Sequence, residues 1–509
     1  MSGTLVDLPI TDHPPAHRPT TRAPLRRALR GSRHEAGLSR RTVWKLLSAW
    51  TALWALVHAA GGGYSWHFFA LGGRLLPSPA VGRGGLHLYA AHPELQFGPL
   101  TLLAAVPLRH LDPWQGRVAA TVLLTVMGLV VLAGLVRVRE YTDRVHNSLL
   151  LLTGLLLLPV WCELATHYAH LDDALALAFT VLALLAFRAG RPAATALLLA
   201  AAADSKPWAL AFGVLLLALP AAQQRRSAAV FAGAVALAWL PFLLGDPHTL
   251  SSLGQFTIHN SASSALRALG VTSSATPGWD RPAQLLLGAA VALVAVRRGR
   301  WAAVPLAVLA ARLLLDPETY PYYTAGLLVA CAAVDLLTPD RRLPLWSAAA
   351  AGFYAVEQLG TVAVSPGTLG AVRALYCLSV LAVLVLPGGQ ALAVRAGPKP
   401  PPSLGRCARV PEPALVRTSA RAGPPVNTAG LRCRSGWRRA TSRTAAVRQA
   451  LPAGELAREN TVGLNRPRRG RGTRMHPAAV NWLPLPARPA VSGPCPPPRV
   501  RWWVSCTPT

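Results

Sequence analysis

Apolar residues recur along this chain in runs of roughly 14–20 positions, each closed by a short charged loop, a rhythm that predicts helices crossing a membrane. The first run is Thr42–Ala60. Later runs fall near 117–136, 147–161, 173–187, 192–204, 207–221, 227–244, 283–296, 302–315, 322–338, 343–358 and 369–386. The expected fold class is all-α and polytopic, with about 12 transmembrane helices. The run Phe97–Leu108 stands apart, because it is short for a crossing and holds Pro99 and Pro107. It suits a juxtamembrane helix of the first outer loop, lying in the interface plane.

The charges agree with this count. With the N-terminus inside, alternation puts Arg137, Arg139, Arg144, Arg188, Arg191, Arg225, Arg226, Arg297, Arg298, Arg300, Arg341 and Arg342 in cytoplasmic loops, as the positive-inside bias requires. A full crossing by Phe97–Leu108 would carry each of them outside. The same topology leaves Glu94, Asp112, Glu163, Asp172, Asp173, Asp204, Asp246, Asp280, Asp316, Glu318 and Glu357 outside or at the outer boundary. The expectation is a multi-pass protein of the cell membrane with both termini cytoplasmic and an uncleaved first span as its signal-anchor.

Composition changes the picture at the two ends of the chain. Of 509 residues 52% are hydrophobic and 14% charged, yet the net charge is +30. Residues 1–45 carry nine Lys/Arg against three acids, and residues 397–509 carry twenty against three. A charge concentrated in tails does not make a nucleic-acid face on a folded domain, so nucleic acid is not an expected partner. The domain reading is a disordered basic cytoplasmic tail over 1–41, a transmembrane domain over 42–390, and a Pro/Arg-rich tail over 391–509. The second tail reads either as a disordered basic segment near anionic lipids or as out-of-frame translation of a high-GC gene. Cys162, Cys331 and Cys377 lie in or beside spans, Cys407, Cys433, Cys495 and Cys506 in the tail, and no spacing suggests a disulfide framework or zinc site. No cofactor is expected; a divalent cation is compatible with the acids but not indicated.

Candidate chemistry gathers on the outer side. Leu86–Leu103 carries Tyr89, His92, Glu94 and Gln96 between the first span and an apolar run, which suits a site for a lipid-linked polar substrate. Asp172 and Asp173 open a span; they fit a substrate-binding pair, and equally a helix start favoured by its dipole. Lys206 sits between two apolar runs, where a lysine faces a cavity, a partner or the interface, and could hold a phosphate as a point charge. Arg312 near the same rim fits a second phosphate contact or an ion pair with Asp316, one turn on. The loop Asp316–Tyr323, with Glu318 and Tyr322, fits a sugar platform or an interfacial aromatic belt. His67 and His92 fit acid/base work, or a structural place in their loops.

Three segments together resemble the GT-C glycosyltransferases, and within them the polyprenyl-phosphate-mannose-dependent mannosyltransferases of family 87 of actinobacteria. They are LHLYAAHPELQFGPLTLL after the first span, HLDDALALAFTVLALLAFRAGRPAATALLLAAAADSKPWAL in the middle, and DPETYPYY. The resemblance covers about 42–390 and implies a GT-C-like fold with juxtamembrane helices in its first outer loop. It implies a polyprenyl-phosphate-linked sugar donor, mannose as the sugar, a glycolipid or glycan acceptor in the lipid bilayer, and inverting transfer. Lys206 then matches a lysine-proline position that contacts the donor phosphate, and His92 a basic position ahead of a proline. One departure stands out: the family's acid just after the first span is missing, since no Asp or Glu lies between that span and Glu94. The general base would be Glu94, Asp172, Asp173 or His67, or transfer activity has been lost. A transporter or lipid flippase and a catalytically silent membrane scaffold are the alternatives. Against a transporter, there is no internal repeat, and the polar residues collect at one face.

Overall fold

Among the described residues, Ser39, Asp112, Ser264 and Ser365 cap helix starts with their side chains. Ser39 accepts from the Thr42 amide (3.1 Å) to open α1 (Arg40–His58). The first outer loop follows, with α2 (Trp66–Leu75), α3 (Leu88–Ala91) and α4 (Pro99–Ala105). Asp112 accepts from the Trp114 and Gln115 amides, and Pro113 takes the first helical position, to open α5 (Pro113–Glu140). Then come α6 (Asn147–Cys162), α7 (Leu171–Arg188), α8 (Pro192–Ser205) and a 3₁₀ run, Pro207–Ala218. The chain continues through α9 (Ala221–Gly245), α10 (Thr249–Leu253), α11 (Ala265–Ala268), α12 (Asp280–Arg297) and α13 (Val304–Leu315). It ends in α14 (Tyr323–Leu337), α15 (Leu345–Ala363) and α16 (Pro366–Val385).

In this computed structural model residues 38–386 are described, apart from 79–82, 142 and 340. They belong to one compact unit. The tails read as 1–41 and 391–509 lie outside the described residues except for 38–41, as do Cys407, Cys433, Cys495 and Cys506. Among the described residues there is no β-strand, and the fold is all-α. Each of the twelve apolar runs read from the sequence is helical, with 207–221 wound mostly as 3₁₀. Among the described residues four helices are both long and apolar enough to cross a membrane: Pro113–Glu140, Asn147–His167, Ala221–Gly245 and Pro366–Val385. Four more apolar helices are shorter, Pro192–Ser205, Pro207–Ala218, Trp301–Leu315 and Tyr323–Leu337. The segment at 97–108 forms the seven-residue α4 and a 3₁₀ turn, about 10 Å of α-helix and too short to cross.

Burial sorts the helices into a centre and a rim. Helices α13 and α14 are buried almost throughout. In α9 only Ser227 and Phe242 are buried, while Leu237, Leu240 and Leu244 are bare. An apolar helix with bare sides needs an apolar solvent around it, which is the physical case for a membrane. Close approaches hold the bundle. The Trp161 indole packs onto Gly128 and donates to the Leu124 carbonyl (2.8 Å), and Leu47 fills the space beside Gly154. At one end Arg188 lies over the Trp301 ring and Arg300 reaches the Leu384 carbonyl (3.3 Å). Following the chain, the turns at 61–67, 163–170, 206 and 316–322 meet at the opposite end.

Candidate functional site

That opposite end holds a buried cluster of charges, set up by an unusual stretch of backbone. Helix α6 runs into a π-helical turn, Glu163–His167, and Ala169 then takes a left-handed conformation (φ 49°). Alanine rarely adopts that region, so the turn is held by its neighbours. The His170 amide donates to the Leu164 carbonyl (3.0 Å), the Ser65 amide to Tyr168 (2.8 Å) and the Tyr64 amide to His167 (2.9 Å). The turn delivers His170, Asp172 and Asp173 together, the two acids in the first turn of α7, where its N-terminal dipole favours them.

Both carboxylates are buried and both meet cations. Lys206 Nζ is paired with Asp172 Oδ2 and lies 3.9 Å from Asp173 Oδ2. Arg312 donates to Asp173 Oδ1 (3.2 Å) and its Nε is 3.5 Å from Asp316 Oδ2. The Arg312 guanidinium is stacked between the rings of Trp208 (4.6 Å) and Tyr323 (4.4 Å), and the Trp208 indole also donates to Asp173 Oδ1 (3.1 Å). His170 Nδ1 is 2.5 Å from Asp172 Oδ1 and 3.1 Å from Asp173 Oδ2. One N–H serves one carboxylate, so Asp173 Oδ2 is left with charge contacts and no hydrogen bond. The other ring nitrogen of His170 lies 2.6 Å from the Tyr322 hydroxyl. Burial opposes charge on His170, but the carboxylates of Asp172 and Asp173 outweigh it and hold the imidazole above its ordinary value.

His170, Asp172 and Asp173 bring ligand-type atoms within 4.8 Å of one another. An ion there would displace the Lys206 ammonium and stand beside Arg312, so the donor set fits a paired charge cluster better than a metal centre.

The remaining candidates read from the sequence fall into three places. Asp316 belongs to the cluster, and Glu318 accepts from the Thr319 amide (3.1 Å), closing its own loop. In the first outer loop Glu94 pairs with His92 (3.1 Å) and Gln96 donates to the Phe256 carbonyl (3.3 Å). Tyr89 is fully buried against Trp239 and Phe242, and its hydroxyl is donated to the Phe97 carbonyl (2.8 Å), so it braces this loop. The loop touches the cluster region: the Gly98 amide donates to the Ser205 carbonyl (2.9 Å), and the Phe69 ring lies 5.7 Å from that of His170. His67 lines a separate cavity of about 610 Å³, with Gly62, Gly63, Tyr64, Arg74 and Arg117.

Trp208 and the cavity arginines carry no signal in the sequence, and Tyr323 is read there only as part of the Asp316–Tyr323 loop; the stacking of Trp208 and Tyr323 on Arg312 has no local signature. Arg117 stands in the sequence as the first residue of the run 117–136. A second buried pair, Arg373 with Glu357 (Nε to Oε1 2.7 Å), lies where α15 and α16 meet; Tyr354 and Gln358 of α15 donate to Glu163. The Cys162, Cys331 and Cys377 thiols are free and buried. Comparison with known proteins finds no matching family model, no matching curated protein and no matching solved structure.

Proposed function

We propose that this chain is a multi-pass glycosyltransferase of the cell membrane, GT-C-like in layout with about 12 crossings, working on the outer face. It moves a sugar, mannose by the resemblance, from a polyprenyl-phosphate donor to a lipid or glycan acceptor, and the termini are cytoplasmic. The observation that carries this reading is the cluster of buried Asp172, Asp173 and Arg312 with the partly exposed Lys206 at one end of an apolar bundle. Ion pairs of this kind add little net stability over apolar packing, and ionisable groups inside a membrane bundle mark pathways and sites.

In inverting transfer the acceptor hydroxyl attacks the anomeric carbon as a base takes its proton, and the bond to phosphate breaks with the electron pair leaving on the polyprenyl phosphate. Of the four candidate bases, Asp172 and Asp173 are committed to cations. His67 Nδ1 is 2.9 Å from the Tyr64 carbonyl oxygen, so it carries the hydrogen and Nε2 keeps a lone pair able to accept a proton. Glu94, held by His92, is the other. Lys206 has 17% of its side chain exposed, the most open of the cluster's two cations, and is the one a substrate oxygen can approach.

The test is transfer of labelled mannose from polyprenyl-phosphate-mannose into lipids by membranes carrying the full chain, beside His67→Gln, Glu94→Gln and Lys206→Ala. The reading expects transfer in the wild type, loss in Lys206→Ala, and a fall of about 100-fold or more in whichever of His67 or Glu94 supplies the base. No transfer by inserted, folded protein with any polyprenyl-phosphate sugar would sink it. A silent scaffold is the second reading, favoured by one observation: the first outer loop holds no carboxylate before Glu94.

A further inference from the structure

If the cations of the buried cluster are already matched by carboxylates, an incoming phosphate has to be met elsewhere. The cavity at the end of α1 offers the means. Arg74, near the end of α2, and Arg117, in the first turns of α5, both line it, and neither makes an ion pair or hydrogen bond with a described residue. Asp112 is the acid nearest to Arg117 in sequence, and its Oδ1 accepts the Trp114 and Gln115 amides. Arg117 is seated by glycine: Gly62 and Gly63 have positive φ (65° and 67°), and a Cβ on Gly63 would stand 3.0 Å from Arg117 Cγ. Side chains at these two positions would strain the turn, and one at Gly63 would crowd the Arg117 stem.

The walls beside the arginines are apolar. Ala70 and Leu71 face the cavity, and Trp114, next to the lining Pro113, is largely exposed. An exposed Trp at the start of an apolar helix marks the level of the membrane interface. The volume, about 610 Å³, falls within the range of small-molecule sites, roughly 300–1,000 Å³. Aromatic rings connect the cavity with the cluster: Tyr64 lies 6.3 Å from Tyr168, and Tyr168 lies 4.7 Å from Tyr322, the partner of His170.

We propose that this cavity binds the phosphate of a lipid-borne phosphate ester, with the guanidinium groups of Arg74 and Arg117 on the phosphoryl oxygens and the chain leaving along Leu71 and Trp114. Guanidinium forks match phosphate geometry. The proposal rests on the reading that the chain handles a lipid phosphate, and it moves phosphate recognition from Lys206 and Arg312 to the cavity.

The experiment is direct binding of radiolabelled polyprenyl monophosphate, without sugar, to the purified full chain in nanodiscs. Saturable binding is expected, weakening with salt. Arg74→Gln and Arg117→Gln should each weaken it about tenfold or more. Arg74 is exposed, so its variant folds even where Arg117→Gln does not. Displacement by phosphatidylglycerol would widen the source to any anionic lipid, and displacement by inorganic phosphate alone would make it a free phosphate; both keep the arginine site. Undiminished binding in both arginine variants with loss in Lys206→Gln overturns the cavity assignment and leaves the transferase reading standing. No saturable binding to a wild type that transfers mannose overturns it as well. Binding that depends on the arginines, in a protein that transfers no sugar, keeps this site and sinks the transferase.

Discussion

At the scale of single residues, Arg312 concentrates the most consequence. It is buried, touches the buried Asp173 and Asp316, and lies between the rings of Trp208 and Tyr323. Removing one partner of a buried ion pair leaves the other charge uncompensated, so Arg312→Ala should cost about 3–5 kcal/mol in detergent-unfolding measurements. The double change Arg312→Ala with Asp173→Asn should cost less than the two single losses added, because the second removes a charge the first has stranded. His170 supplies a pH dependence. Its folded-state value lies above the ordinary 6.5, so its contribution is complete below about pH 6.5 and disappears as pH rises through the raised value. Thermal unfolding should therefore move to lower temperature on the alkaline side, with a slope of at most about 1.4 kcal/mol per pH unit for one proton. His170→Gln should flatten that slope, and an unchanged slope would assign the proton to another group.

At the scale of elements, the first outer loop is tied to the Lys206 turn by backbone contact. A Cβ on Gly98 would stand 2.0 Å from the Asp204 carbonyl oxygen, and that oxygen belongs to backbone that cannot swing aside. Gly98→Ala should cost about 1–3 kcal/mol or more and expose residues 85–110 to protease, where Gly352→Ala, with open space around it, should not. The helices themselves were legible in the sequence, since runs of apolar residues closed by arginines survive any packing arrangement. The composition of the cluster was half legible: Asp172, Asp173, Lys206, Arg312, Asp316 and Tyr322 are all polar groups misplaced in apolar surroundings. The pairing of Arg312 with Asp316 is legible from their one-turn spacing. The pairings of Asp173 with Arg312 and of Asp172 with Lys206 are not, because 139 and 34 positions separate the partners and only the fold brings them together. Tyr89 shows the opposite case, where an aromatic polar residue in a promising loop proves to be wedged under Trp239.

At the scale of the whole molecule, the two ends of the bundle differ in chemistry, arginines against backbone carbonyls at one and carboxylates with aromatics at the other. If about 12 helices cross, single cysteines introduced at Asp246 and Glu318 should label with impermeant reagent from outside intact cells, and those at Arg225 and Arg342 only after lysis. Labelling of both sets from outside would overturn the crossing count. Residues Pro207–Ala218 wind as 3₁₀ for twelve residues, far beyond the usual three or four. At about 2.0 Å each they extend about 24 Å, where the same residues as α-helix would reach about 18 Å. Rewinding the segment into α-helix would shorten the span between Lys206 and Leu219 by about 6 Å, more than the Lys206–Asp172 ion pair can absorb with Leu219 held in place.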